Sequence, residues 1–404
     1  MARKEEYIFG LDVGSSKTCA LICRQGAEGG LEVAGLGVAE SRGWRRGNIA
    51  NLEAAVASIR EAVDAAESTA GFAVDSAYVG IAGTHIQGVN AQGGVSLGQQ
   101  AREVTAEDVQ NVVERAQSVS LPEDQEIVHV FPQEYLVDAR DGIRDPIGMQ
   151  ARSLDVSIHL VTASSAVVQN VVNAANRAGI YVLGTVLEQM ASAESNLTDE
   201  ERELGVMLVD IGAGTAEVLL YEQGMVRHTA AIPVGGDYFT NDIAVGLRTP
   251  IPEAEQLKRC WGLPRPETRL YEEIQVSGVG ERPGRKVNYS ALAEILEPRA
   301  DELLELIEAE LVRQGGRSPL GAGLVFTGGG ALLKGLPEMA EKIFSLPIRV
   351  GYPAGLARMG ETLSEPCYSA VVGLVRYARR MQRHQELRQP NWGKKLLGLL
   401  GVRA

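Results

Sequence analysis

At 404 residues, 45% of them hydrophobic, the chain is long enough for two or more domains with substantial cores, and its net charge of −13 excludes general nucleic-acid binding. Four cysteines, Cys19, Cys23, Cys260 and Cys367, have neither zinc spacing nor disulfide density, and Met1 to Glu6 lacks a secretory apolar run, so a reducing cytoplasm is the expected compartment. The charge is uneven, because Arg376 to Ala404 carries eight Lys or Arg against Glu386 alone.

The first strand runs into Gly10-Leu11-Asp12-Val13-Gly14-Ser15-Ser16-Lys17-Thr18, and Cys19 to Cys23 resumes a strand. An apolar strand that ends in an acid and a glycine turn exposes backbone N–H groups to an anion, so this reads as a phosphate-binding hairpin. Leu31 to Val38 is a further strand, Asn51 to Ser68 places Leu52, Val56, Ile59, Val63 and Ala66 at helical spacing, and Ala77 to Ile81 is a strand. Trp44, Arg45 and Arg46 read as a solvated turn. From Gly83 the pattern changes: Gly88, Gly93, Gly94 and Gly98 punctuate short segments, a helix opens at Thr105 with Asp108 in capping-box position, and Glu126 to Phe131 and Gln133 to Val137 read as strands on either side of Pro132. Leu154 to Val161 is another strand. Residues 84–163 thus form a small inserted α+β module without a catalytic or metal constellation, for which protein interaction is the default role.

After the helix Ser165 to Ala178, the strand Val182 to Leu187 meets a helix at Glu188-Gln189. Next comes Leu208-Val209-Asp210-Ile211-Gly212-Ala213-Gly214-Thr215-Ala216-Glu217, with Val218 to Tyr221 resuming a strand. This repeats the first hairpin, Asp210 matching Asp12 and Gly212 matching Gly14. Because the glycines lie between two strands, neither the Walker loop nor the dinucleotide fingerprint fits. Two such hairpins point to a duplicated domain whose halves hold phosphates from both sides. Gly235 and Gly236 again permit close backbone approach, and Glu255 and Lys258 sit at i and i+3 on a helix over Pro252 to Trp261. Tyr271 to Gly280 and Arg285 to Asn288 are strands. Ser290 to Arg313 is a long helix that Pro298 is expected to kink or break. Leu324 to Thr327 ends in Gly328, Gly329 and Gly330, which let backbone approach a flat ligand such as adenosine. A helix over Leu336 to Phe344, an edge strand at Ile348 to Pro353 and a last helix over Tyr368 to Met381 complete the body.

Gln382 to Pro390 reads as a linker. Beyond it, Trp392, Leu396, Leu399 and Leu400 fall on one helical stripe, with Lys394 and Lys395 off it. The segment is too short to span a bilayer, and its composition suits lying in the interface of an anionic membrane.

The order of the three glycine motifs resembles the actin-like ATPase superfamily. With Glu203-Leu204-Gly205-Val206 before the second hairpin, Ala293 to Arg299 and the Trp-and-Lys terminus included, the chain resembles the FtsA family of bacterial cell-division proteins along essentially its whole length. The resemblance implies a duplicated actin-like, ribonuclease-H-like fold: a first half over 1–83 completed by 365–381, a second half over 164–236 and 314–364, and a small subdomain over 237–313. It implies ATP and Mg²⁺ between the halves, with Asp12 and Asp210 holding the metal largely through water. Gly14, Ser15, Ser16, Lys17, Gly212, Gly214 and Thr215 would then contact phosphate, Gly235, Gly236, Glu255 and Lys258 the ribose side, and Gly328 to Gly330 the adenosine. Glu188 and Gln189 are candidates for positioning the attacking water, with at most slow ATPase activity.

The same resemblance implies a peripheral protein on the cytoplasmic face of the membrane at the division site. It would bind the C-terminal tail of the tubulin-like protein FtsZ through Arg285 and Arg299, self-associate into filaments, and recruit later division proteins through the inserted module. A sugar kinase would need a catalytic Asp in a polar sugar pocket, and no such constellation is evident. A pilus-assembly platform protein of the same superfamily is the nearer rival, and the amphipathic terminus is foreign to it.

Overall fold

The computed structural model describes residues 7–388 apart from 27–29, 46, 266–270, 281 and 314–319. Two five-stranded sheets share one strand plan. In the first, the meander Tyr7–Val13, Lys17–Gln25 and Leu31–Glu40 is extended on the other side of Tyr7–Val13 by the parallel strands Ser76–Ile81 and Tyr181–Leu187, so the latter strand, expected in the second half, belongs to the first because it pairs with Ser76–Ile81. In the second, Val206–Ile211, Ala216–Glu222 and Met225–Ile232 form the meander, and Leu324–Thr327 and Ile348–Val350 run parallel beyond Val206–Ile211. These are the two halves of a duplicated actin-like fold.

The helix Leu52–Ala70 forms where the sequence signals it. Asn51 accepts from Ala54 N as N-cap, Gly71 closes the end at φ 80°, and Val56, Ile59, Ala62, Val63 and Ala66 line one buried face. That face packs on Leu31–Glu40, and the approach is close: a Cβ on Gly37 would lie 1.8 Å from Ala62 O.

The insert is built on a four-stranded antiparallel sheet ordered Arg140–Ile143, Gln125–Val137, Ser153–Ser164, Gln87–Ser96, with the helix Ala106–Ala116 packed against it. It has its own apolar core around Val112, Ala116, Leu154, Val156 and Ile158. Of the glycines expected to punctuate short segments, Gly88, Gly93 and Gly94 instead lie within one strand, and Gly98 follows its end. Gly93 is where the helix rests on it, since a Cβ there would meet Ala116 N at 2.5 Å. Pro132 does not divide two strands either. Pro132 pairs with Ile158 and Glu134 with Ser157, so Gln133 is the extra residue of a bulge, and its amide reaches the second half at Val226 O, 2.9 Å away. The expected capping box is present: Asp108 accepts from Thr105 N and Oγ1 and takes both Arg102 guanidinium nitrogens at 2.6 and 2.7 Å. Asp108→Ala is expected to destabilise the insert by about 1–2 kcal/mol. Hydrogen exchange over residues 102–116 measures this, and unchanged protection there would remove the cap from the account.

The small subdomain comprises the helices Gly236–Gly246 and Ile251–Trp261, the hairpin Glu273–Val276 with Arg285–Asn288, and the helix Tyr289–Arg313. This last helix runs through Pro298 without a break. Pro298 and Glu294, whose carbonyl loses its partner, both lie on the exposed side, where water can satisfy it, while Leu292, Leu296, Ala300, Leu303 and Ile307 hold the buried stripe. The final helix, Ser369–Arg388, continues into the segment expected to be a linker. Trp392, Lys394, Lys395, Leu396, Leu399 and Leu400 lie outside the described residues.

Candidate functional site

The two hairpins are the same piece of structure. Gly14 N donates to Lys17 O at 3.1 Å, and Gly212 N donates to Thr215 O at 2.9 Å. Asp12 pairs across its ladder with Cys19, and Asp210 with Glu217. Both turns open on one cleft of about 920 Å³, lined on the first-half side by Asp12, Gly14, Ser15, Ser16, Lys17 and Glu188. Asp210, Gly212, Gly214, Thr215 and Glu217 line it from the second half, together with Gly236, Glu255, Lys258 and Gly328 to Gly330.

The floor of the cleft is acidic and buried. Burial, and then the Asp210 carboxylate, push Asp12 up, with Lys17 and a hydrogen bond to Glu188 working the other way. Glu188 is pushed well up by burial, then by Asp12, Glu217 and Asp210. Burial raises Asp210 to about 6 against the hydrogen bond from Ser192 Oγ, and raises Glu217 to about 8 with help from Asp210. The nearest cation is Lys17. Its ammonium lies 3.3 Å above the Tyr368 ring and beside the Cys367 thiol. Buried carboxylates facing one another with so little compensation are a surface that a divalent ion or its waters would relieve. Among the described residues no three His, Cys, Asp or Glu side chains converge as ligands of one ion.

The glycines have separate duties. Gly328, at φ 78°, lies so close beneath the second hairpin that a Cβ would meet Asp210 Oδ1 at 2.3 Å, and one on Gly330 would meet Ile211 Cγ2 at 2.2 Å. Gly235 does not face the cleft: it packs on Ala213 O, and Gly236 N and Asp237 N donate to Gly212 O and Ala213 O. Gly235 therefore buttresses the second hairpin. Glu255 and Lys258 are paired at 2.6 Å inside the cleft wall, with Lys258 Nζ also donating to Gly236 O and Thr240 Oγ1. Burial opposes ionisation of Glu255, but hydrogen bonds from Lys258, Thr240 and Arg259 hold it down at about 2.

Of the two residues expected to position water, only Glu188 reaches the cleft, and it does so because Gly80 leaves it room. Gln189 is fully buried in the helix Glu188–Asn196 with its amide unpartnered, away from the cleft lining. Trp44, expected in a solvated turn, lines the cleft from a short hairpin, Trp44–Arg45 with Asn48–Ile49. Glu217, His85, Thr240 and Tyr368 also line it. Of these, only Glu217 had a signal in the sequence, as a lone acid in an apolar strand.

Arg285 and Arg299 do not line the cleft; they lie in the small subdomain, Arg299 over the Tyr238 ring. Arg299 Nε and Nη2 hold Asp242 at 2.6 and 3.2 Å and Nη1 pairs with Glu302, while Arg285 Nη2 donates to Leu247 O.

Two copies of one sheet plan, each turning an acid-and-glycine hairpin into a shared cleft, define the actin-like class. The fold agrees with that of the type IV pilus protein in the "PilM-PilN type IV pilus biogenesis complex", at TM-score 0.65 and 18% identity over 92% of this chain and 98% of that one. It also agrees with MreB 5 of Spiroplasma citri bound to AMPPNP, at TM-score 0.59 and 14% identity over 95% and 99%. Within that class, the family described as "Cell division protein FtsA" matches residues 207–373, and the "SHS2 domain inserted in FTSA" matches residues 83–162. Cell division protein FtsA of Pseudomonas aeruginosa is 43% identical over 378 residues, 93% of this chain and 90% of that protein. The Neisseria meningitidis protein of the same name is 38% identical over 95% and 92%. The chain belongs to the FtsA family of cell-division proteins.

Proposed function

We propose that this chain is an ATP-binding, actin-like division protein that tethers FtsZ filaments to the cytoplasmic face of the cell membrane, assembles with itself, and recruits later division proteins through its insert. The observation that carries the nucleotide part is the convergence of Asp12, Asp210 and both glycine turns on one cleft. Ser15, Ser16, Lys17, Gly212, Gly214 and Thr215 hold the phosphates, Glu255 and Lys258 the ribose side, and Gly328 to Gly330 the adenosine. Asp12 and Asp210 would hold Mg²⁺ through water, and the ion would supply neutralising charge to the phosphates. Glu188 orients water near the distal phosphate, at a slow rate of hydrolysis.

The tether rests on family membership and on the amphipathic stripe of Trp392, Leu396, Leu399 and Leu400 with its flanking lysines. FtsZ-tail binding is assigned to Arg285 and Arg299 in the small subdomain. Arg299 already holds Asp242 and Glu302, so an incoming peptide carboxylate would share or replace these partners. Arg299→Glu would set a third acid beside them and repel the tail, and the affinity for a labelled FtsZ C-terminal peptide is expected to fall tenfold or more, as charge reversals at interfaces cost on the order of a few kcal/mol. Fluorescence anisotropy measures it. Undiminished affinity would move the peptide site away from Arg299.

A further inference from the structure

The helix Glu188–Asn196 meets both hairpin acids of the cleft with one face. It continues directly from the first-half strand Tyr181–Leu187 and leads, through the short helix Asp199–Leu204, to the second-half strand Val206–Ile211. Side chains four apart on a helix lie on the same side, one above the other, and Glu188 and Ser192 are such a pair. Glu188 shares a hydrogen bond with Asp12. Ser192 Oγ donates to Asp210 Oδ2. Ser192 is fully buried and does not line the cleft, whereas Asp210 does, so Ser192 can act on a ligand there only through Asp210.

The helix is itself held from behind. The final helix, Ser369–Arg388, crosses it where Gly373 lies against Ala191, so close that a side chain on Gly373 would overlap Ala191 O. Ser195 Oγ donates to Ser369 O at 2.8 Å, and Asn196 Nδ2 donates to Ser192 O at 2.8 Å. Ser369 Oγ pairs with Thr327 Oγ1 at 2.6 Å, and Thr327 is the neighbour of Asp210 across the parallel ladder. Ser192 therefore reaches Asp210 from a support fastened to the same sheet. A hydroxyl placed in this way fixes the rotation of the carboxylate and stabilises its ionised form by a charge-assisted hydrogen bond. A methyl group in its place would leave one buried carboxylate oxygen without its donor.

We propose that Ser192 is a positioning residue for the metal: it holds the Asp210 carboxylate in the orientation that receives a hydrated Mg²⁺, while Glu188, one turn earlier, meets Asp12, so that one helix sets the spacing of the two acids. The inference rests on the nucleotide reading above and adds what places the acid of the second half.

The test is calorimetry of the full chain with a non-hydrolysable ATP analogue, once with Mg²⁺ and once with EDTA, comparing wild type with Ser192→Ala and Ser192→Cys. Cysteine keeps a side chain of similar shape and replaces the hydroxyl with a weak donor, which separates the hydrogen bond from the space it fills. For both variants, affinity is expected to fall about tenfold with Mg²⁺, as for a lost hydrogen bond to a charged group, and to stay at the wild-type value with EDTA. A serine that serves only the packing would move both affinities together, or neither. A thermal melt checks folding, and if Ser192→Ala does not fold, Ser192→Cys decides alone. Equal losses in the two conditions, or a folded Ser192→Cys protein that binds as wild type does with Mg²⁺, would overturn the assignment while leaving the nucleotide reading intact. Wild type that binds the analogue no better with Mg²⁺ than with EDTA, or does not bind it at all, would overturn both.

Discussion

Deleting residues 391–404 is expected to abolish co-sedimentation with anionic vesicles and to leave nucleotide affinity unchanged. Seated in the interface, the stripe of Trp392, Leu396, Leu399 and Leu400 would contribute several kcal/mol at about 25 cal/mol per Å² of apolar area taken from water, and Lys394, Lys395 and Arg403 would add about 1 kcal/mol each toward anionic lipid. No helix among the described residues is long and apolar enough to cross a membrane. One short interfacial segment holds only modestly, so lasting residence requires several tails presented together, as self-association would provide. Trp392→Glu is expected to cause most of the same loss by placing a charge on the stripe. Truncated protein that still pellets with vesicles would mean that the terminus is not the anchor.

Gly330→Arg is expected to reduce ATP affinity about a hundredfold or more. Even a Cβ at this position collides with Ile211 Cγ2 at 2.2 Å, so the side chain must push the glycine turn and the end of the Asp210 strand apart and displace both from the nucleotide. Gly329→Ala is the matched control, because its Cβ would meet only Cys367 Cβ, at 3.7 Å, and near-normal binding is expected. Equilibrium binding of a fluorescent ATP analogue, with circular dichroism as a check of folding, reads both variants. Equal affinities in wild type and a folded Gly330→Arg protein would remove the triple glycine from the nucleotide site.

What could be read from the sequence was whatever repeats or obeys a local rule. Asp12 and Asp210 stand out because two acid-and-glycine turns occur in the same strand context, and Thr105 with Asp108 because a capping box is a short-range pattern. Pro132 was misjudged because tertiary structure overrides the local rule and a bulge absorbs it within one strand. Of the kink or break expected at Pro298, the break is absent because an exposed helix face tolerates the proline. Gly88 and Gly93 read as punctuation, whereas each marks a neighbour packed against a continuous strand, Thr229 and His159 at one and Ala116 at the other. Trp44 and His85 carry no periodic or motif signal. Their place in the cleft depends on a hairpin fastened to Ser15 and packed on Ala82, contacts that join parts of the chain far apart in sequence.

The most direct measurement of the tether is vesicle flotation with three components: polymerised FtsZ, this protein with ATP and Mg²⁺, and anionic vesicles. FtsZ is expected to rise with the vesicles only when the full chain is present, and to stay at the bottom when the chain lacks residues 391–404 or carries Arg299→Glu. FtsZ that remains at the bottom while the full-length protein itself floats would contradict the account.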